Sequence, residues 1–178
     1  MEDKFWESKG EIEYVLPKKI LDLINSVPGS MWWHVTRDKK NPEMCNYRPH
    51  ELEILIKHYP LTQGDVQGLL EEEVDEVRFL SPERSVHLHF KGSLSTGPRG
   101  ERATIYISEN TREEQEITLI HELVHLHYRA GKAVEYSPPG ELQLEDVIEV
   151  EAQRFYAKNR IFVTELFSEL KQLQLPGI

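Results

Sequence analysis

Apolar and polar positions alternate with three different rhythms along the chain, and each rhythm predicts an element. In residues 17–27, PKKILDLINSV, the apolar residues Ile20, Leu23, Ile24 and Val27 share one helical face. Pro17 suits the first turn of that helix, and VPGS stops it. Residues 31–49, with two tryptophans and two prolines, predict irregular chain. Residues 50–59, HELEILIKHY, predict a short helix that Pro60 ends. Residues 60–80 predict a loop followed by an acidic helix, with Glu71, Glu72, Glu73, Asp75 and Glu76 on a solvated face. Residues 85–90, SVHLHF, alternate strictly, as a half-buried strand does. Val86, Leu88 and Phe90 lie on one face, His87 and His89 on the other. Residues 91–101, KGSLSTGPRGE, predict a mobile connection, and residues 103–108, ATIYIS, a second strand. Together these predict an antiparallel pair joined by a long loop.

A helix follows directly. Thr111 and Glu114 have the spacing of a capping box, and Ile117, Ile120 and Val124 carry the apolar period to about Ala130, where Gly131 supplies the stop. A loop containing Ser137-Pro138-Pro139-Gly140 leads to a last helical region over residues 142–173, with a break near Asn159. No internal repeat, low-complexity tract or domain linker interrupts the chain.

Composition narrows the class. The 178 residues are 39% apolar and 29% charged, as in an ordinary globular domain with a real core. No apolar run approaches a membrane span, and the opening MEDKFWESKGEIEYV lacks the apolar stretch of a signal peptide. The expectation is a cytoplasmic protein with no membrane partner. A net charge of −10, with only Arg37-Asp38-Lys39-Lys40 as a basic cluster, argues against direct contact with nucleic acid. The single cysteine, Cys45, excludes an internal disulfide and a cysteine metal cluster. Any metal must be held by His, Asp or Glu.

The chemistry concentrates in residues 117–131, ITLIHELVHLHYRAG, where His121, Glu122 and His125 form H-E-x-x-H. Residues four apart on a helix share a face, so both imidazoles can reach one ion. Glu122, beside the first ligand, can take a proton from water activated by that ion. Polar side chains in so apolar a segment are costly if buried without partners, and a metal resolves the cost. A catalytic site needs a third protein ligand and an open position. The acids Glu141, Glu145, Asp146, Glu149 and Glu151 all follow at suitable distance. Small Ala152 on the Glu149 stripe favours Glu149 through close helix approach, and Glu145 shares that stripe. His127 points away from the pair. Tyr128 and Tyr156 are candidates to stabilise an oxyanion, and His87 and His89 to form a second metal pair or line a cleft. Trp32 and Trp33 read as packing.

IYISEN…EITLIHELVHLHYR followed by IEVEAQRFYAKN resembles the ImmA/IrrE metallopeptidase family, over roughly residues 85–160. That family has a strand ending near an Asn, a helix with H-E-x-x-H, and E-x-x-A-N-x-F-A on the next helix. Ile105–Ser108, Asn110, His121, Glu122, His125, Glu149, Ala152, Phe155 and, loosely, Ala157 carry the match. Gln153 stands where the family has Asn, Tyr156 where it has Ala, and Arg129 where a histidine is common. KNRIFVTELF replaces the family's Leu-rich ending with a terminal Pro. The resemblance implies His121, His125 and Glu149 as ligands of Zn2+, Glu122 as general base, and a protein or peptide substrate, often a transcriptional repressor.

The resulting expectation is an α+β, zincin-like fold, helix-rich, with a small antiparallel sheet packed beside the motif helix. The chain, 1–178, is read as a single metallopeptidase domain. Residues 1–60 form a mainly helical N-terminal lobe, and residues 85–160 the catalytic core. The competing reading is a non-catalytic binding or regulatory protein on the same scaffold. A third keeps zinc hydrolysis but gives it a small amide or peptide as substrate.

Overall fold

The computed structural model describes residues 36–37, 44–80, 92–95, 102–131 and 142–173. The predicted helix at 17–27, Trp32 and Trp33, and the strand at 85–90 with His87 and His89 lie outside these residues. The described elements are β1 (Thr36–Arg37), β2 (Cys45–Asn46), α1 (Pro49–His58), α2 (Gln63–Glu72), β3 (Val74–Phe79), β4 (Gly92–Ser95), β5 (Ala103–Ile107), α3 (Arg112–Tyr128), α4 (Leu144–Lys158) and α5 (Arg160–Leu173). The fold is α+β and helix-rich. The chain divides into two compact units, one of Met1–Pro60 with His125–Ile148, the other of Leu61–Val124 with Glu149–Ile178. No helix among the described residues is long and apolar enough to cross a membrane.

In the first unit, β1 and β2 pair antiparallel, Thr36 opposite Asn46 and Arg37 opposite Cys45. α1 starts at Pro49, whose missing N–H is no loss in a first turn. It buries Leu52 and Leu55 completely. Glu51 is buried beside them and accepts a 2.7 Å hydrogen bond from the Arg48 amide.

In the second unit, a three-stranded sheet has the order β3-β5-β4. The sheet is mixed, which corrects the expected antiparallel one: β3 runs parallel to β5, and only β4 runs antiparallel to it. β4 lies inside the stretch expected to be a mobile connection. β5 behaves as its alternation predicts, with Ala103, Ile105 and Ile107 buried and Thr104 and Tyr106 between them half-buried.

The expected acidic helix over 60–80 is also corrected. α2 ends at Glu72 and the chain turns into β3. The cause of the misreading is a β-bulge. Val74 pairs with Ala103 while Glu76 pairs with Thr104, so Asp75 is an extra residue. The bulge lets Val74 and Val77, three apart, both be buried, which imitates a helical period. α2 itself is fixed by a reciprocal cap: the Asp65 amide donates to Thr62 Oγ1, and the Thr62 amide to Asp65 Oδ2, each at 3.1 Å.

The later part of α4 and all of α5 complete the second unit. α4 and α5 meet at Asn159, the expected break, where Asn159 Nδ2 donates to the Phe155 carbonyl at 2.9 Å. α5 buries Val163 and Phe167. Phe167 meets Phe79 of β3 edge-on at 5.3 Å, with the Arg112 guanidinium over its ring. Arg112 also bonds Glu116, the Thr164 carbonyl and Ser168, joining the start of α3 to α5.

Burial pushes the Glu51 carboxyl up from 4.5 to about 7, opposed by the Arg48 amide. The folded chain therefore holds this proton more tightly than the unfolded one. Stability is highest below pH 4.5 for this group and falls as pH rises toward 7, by on the order of 3 kcal/mol from a shift of 2.5 between the two printed values. Glu51→Gln keeps the acceptor and removes the ionisation. Denaturant titrations should show the variant gaining over the wild-type chain at pH 8 and little at pH 5.

Candidate metal centre

The motif helix α3 is 17 residues long and starts where Thr111 Oγ1 accepts the Glu114 amide at 3.2 Å. From residue 115 to 128 every residue is buried except His121. A helix enclosed on all sides should be apolar throughout. This one is not, so each polar group needs a partner. Gln115 Nε2 donates to the Ser108 carbonyl at 3.0 Å. The Glu116 carboxylate accepts from Arg112 Nε at 2.7 Å, Tyr156 at 2.8 Å and Thr164 at 3.2 Å. His127 packs edge-on against Tyr128. His121 is the opening in this enclosure, with its side chain 15% exposed.

His125, fully buried, is held by the way the helix ends. Arg129 adopts a left-handed backbone, φ 54°. Its amide donates to the Leu126 carbonyl at 3.2 Å, and the Ala130 amide to the His125 carbonyl at 2.9 Å. This pair of bonds is the Schellman ending, with arginine where glycine is usual. The stop therefore falls at Arg129, two residues before the expected Gly131. The same turn returns the Ala130 carbonyl to His125 Nδ1 at 2.8 Å. A carbonyl only accepts, so Nδ1 carries the hydrogen and Nε2 the lone pair. Three further bonds brace the turn. The Cys45 amide donates to the Arg129 carbonyl at 2.7 Å, the Gly131 amide to the Cys45 carbonyl at 2.8 Å, and the Tyr47 hydroxyl to the Tyr128 carbonyl at 2.9 Å. Cys45 is buried, and its backbone makes this bridge.

Glu145 lies in the first turn of α4. Its Oε2 is 2.8 Å from His125 Nε2. A lone-pair nitrogen and a carboxylate oxygen face each other there, as two ligands of one cation would. Four residues on, Glu149 Oε1 is 2.8 Å from His121 Nδ1, and its Oε2 accepts from Gln153 Nε2 at 2.6 Å. One ligand atom each from His121, His125 and Glu145 lie within 4.8 Å of one another. Four-coordinate zinc sets its ligand atoms roughly 3.3 Å apart, a value between that limit and the 2.8 Å pair. Two imidazoles and a carboxylate are ligands for several divalent ions, so this group could hold a metal ion.

The other candidates are placed as follows. Glu122 is buried on α3. Glu151 is buried too, but accepts from the Leu61 amide at 2.8 Å and is gripped by Arg154. Asp146 accepts from the Gln143 amide. Glu141 lies outside the described residues. Tyr128 donates to the Tyr59 carbonyl and Tyr156 to Glu116, so both hydroxyls are engaged in holding the fold. Two features had no reading in the sequence. One is the Ala130 carbonyl, a main-chain group that no residue type announces. The other is Gly92 on β4. A Cβ there would meet Thr118 Cγ2 at 2.3 Å and Glu122 Oε2 at 3.4 Å. The strand runs this close to the motif helix only because Gly92 has no side chain, and no signal in the sequence marked it, since the residue fell in a stretch read as a connection.

No protein-family model, curated protein or solved structure matches the chain.

Gly92→Ala should destabilise the fold by about 1–3 kcal/mol through overpacking against Thr118, which lowers the thermal midpoint by several degrees. Adding Thr118→Ala should recover most of the loss. Additive losses in the double variant would show that the two residues do not meet.

Proposed function

We propose that this chain is a zinc-dependent metallopeptidase that hydrolyses a peptide bond in a protein substrate. His121, His125 and a carboxylate of α4 hold the ion, and Glu122 is the general base. The observation that carries the reading is the helix α3 itself. It sets two histidines one turn apart, gathers a carboxylate to them, and buries a glutamate beside the first. The likeness of the two motifs to ImmA/IrrE peptidases supports it and points to Glu149 as the carboxylate, while the geometry gathers Glu145. A zincin-like arrangement belongs to the same reading.

Bound zinc supplies Lewis acidity, lowering the pKa of water and polarising a carbonyl. The chain supplies the rest. The Ala130 carbonyl fixes the His125 tautomer. Glu122, poorly hydrated, takes a proton on its carboxylate and returns it to the departing amine. Gly92 lets main chain run beside that carboxylate. His121, not buried like its neighbours on α3, is where water can reach the site.

Two measurements test the reading. Protein purified without chelator or histidine tag should carry about one zinc per chain by elemental mass spectrometry. Zinc-loaded protein should cleave a quenched-fluorescent peptide library, and Glu122→Gln should keep the zinc and lose roughly 10²–10⁴-fold in rate. Absence of zinc after reconstitution, or equal cleavage by the variant, would remove the peptidase reading.

A further inference from the structure

We propose that the two carboxylates of α4 have different roles. Glu145 is the metal ligand, and Glu149 is a positioning residue that holds His121 through Nδ1. The inference rests on the zinc site proposed above and deepens it, because side-chain geometry separates two acids that share one stripe of α4. They are four apart, on one stripe of α4, and half-exposed to similar degrees. Each also has an oxygen 2.8 Å from a histidine nitrogen. What separates them is which nitrogen each one meets.

His125 gives Nδ1–H to the Ala130 carbonyl, so the nitrogen facing Glu145 is Nε2, the one with the lone pair. Glu145 thus shares the side of the ring on which an ion would sit. Glu149 meets His121 at Nδ1 instead. In the proposed arrangement Glu149 accepts from Nδ1–H, which leaves the His121 lone pair on Nε2. Under this assignment the two histidines are alike: each gives Nδ1–H to an oxygen and keeps Nε2 for the ion. For His125 the oxygen is main chain, and for His121 it is Glu149. Binding at Nδ1 orients a ligating ring and raises its basicity. Gln153 fixes the other Glu149 oxygen at 2.6 Å. The group of ligand atoms within 4.8 Å contains Glu145 and, among the described residues, leaves Glu149 out.

Gln is a poor substitute for a charged ligand but a fair one for an acceptor, since its amide oxygen can still take the Nδ1–H bond. That asymmetry gives the test. Zinc affinity of the full chain is measured by competition with a chromophoric chelator, using Zn2+ alone. Circular dichroism in chelator checks that each variant folds. Glu145→Gln should lose stoichiometric binding, with affinity down at least 10³-fold. Glu149→Ala should keep one zinc per chain with affinity down 10–100-fold, and Glu149→Gln should recover most of that loss. In zinc-loaded wild-type protein, long-range ¹H–¹⁵N spectra should show His121 protonated at Nδ1; in Glu149→Ala that proton should exchange faster. Loss of zinc in Glu149→Gln with retention in Glu145→Gln would overturn the assignment, as would equal losses, and would leave the peptidase reading standing. No zinc in the wild-type chain would overturn both. Gln153→Ala, which touches neither histidine, gives a second test: a loss of at least 3-fold is expected, and no change in affinity or exchange would count against the positioning role.

Discussion

Desolvation of polar side chains on an enclosed helix is the constraint from which the rest of the structure follows. α3 buries thirteen of the fourteen residues from 115 to 128, six of them polar or charged. Each such group costs a few kcal/mol unless it finds a partner, and the neighbouring elements supply partners. The end of β5 offers Ser108 to Gln115. α4 and α5 offer Tyr156 and Thr164 to Glu116, which Arg112 also neutralises. The helix ending offers Ala130 to His125. The polar residues of α3 thereby act as addresses for the elements around them.

Legibility in the sequence followed how local each cause was. α3, the break at Asn159, the short helix near residue 50 and β5 were readable, because caps, prolines and periodicity act within a few residues. β3 was not. The bulge at Asp75 is defined by pairing with β5, about 28 residues further on, and it gave a strand the spacing of a helix. β4 was hidden in a Gly- and Ser-rich stretch whose strand character comes from pairing with β5.

The site shows the same division. His121, Glu122 and His125 could be read because a single helix fixes their spacing. Among the acids of α4 the sequence favoured Glu149, through Ala152 and the likeness of the motif, whereas the gathered ligand atoms include Glu145; the two acids differ in the atoms they meet, which no spacing reveals. Glu151 was a fair candidate on spacing. It proves to be a fastener for Leu61 and Arg154, a role set by chain ninety residues away. Tyr128 and Tyr156 had the right chemistry for an oxyanion and are instead bound to Tyr59 and Glu116. In each case the deciding fact was a long-range partner.

The turn at Arg129 and Ala130 carries one more implication. His125 is oriented there by a carbonyl, and the turn is braced by the amide and carbonyl of Cys45. Neither position uses its side chain for the task. At 45 and 130 the bonds that set the turn are main-chain, so their register depends on the number of residues between Tyr128 and Gly131. A single insertion or deletion there would turn the carbonyl away from the ring, while another small side chain at either buried position would leave it in place. In this corner of the molecule the information is stored in chain length, and comparison of residue letters would not register it.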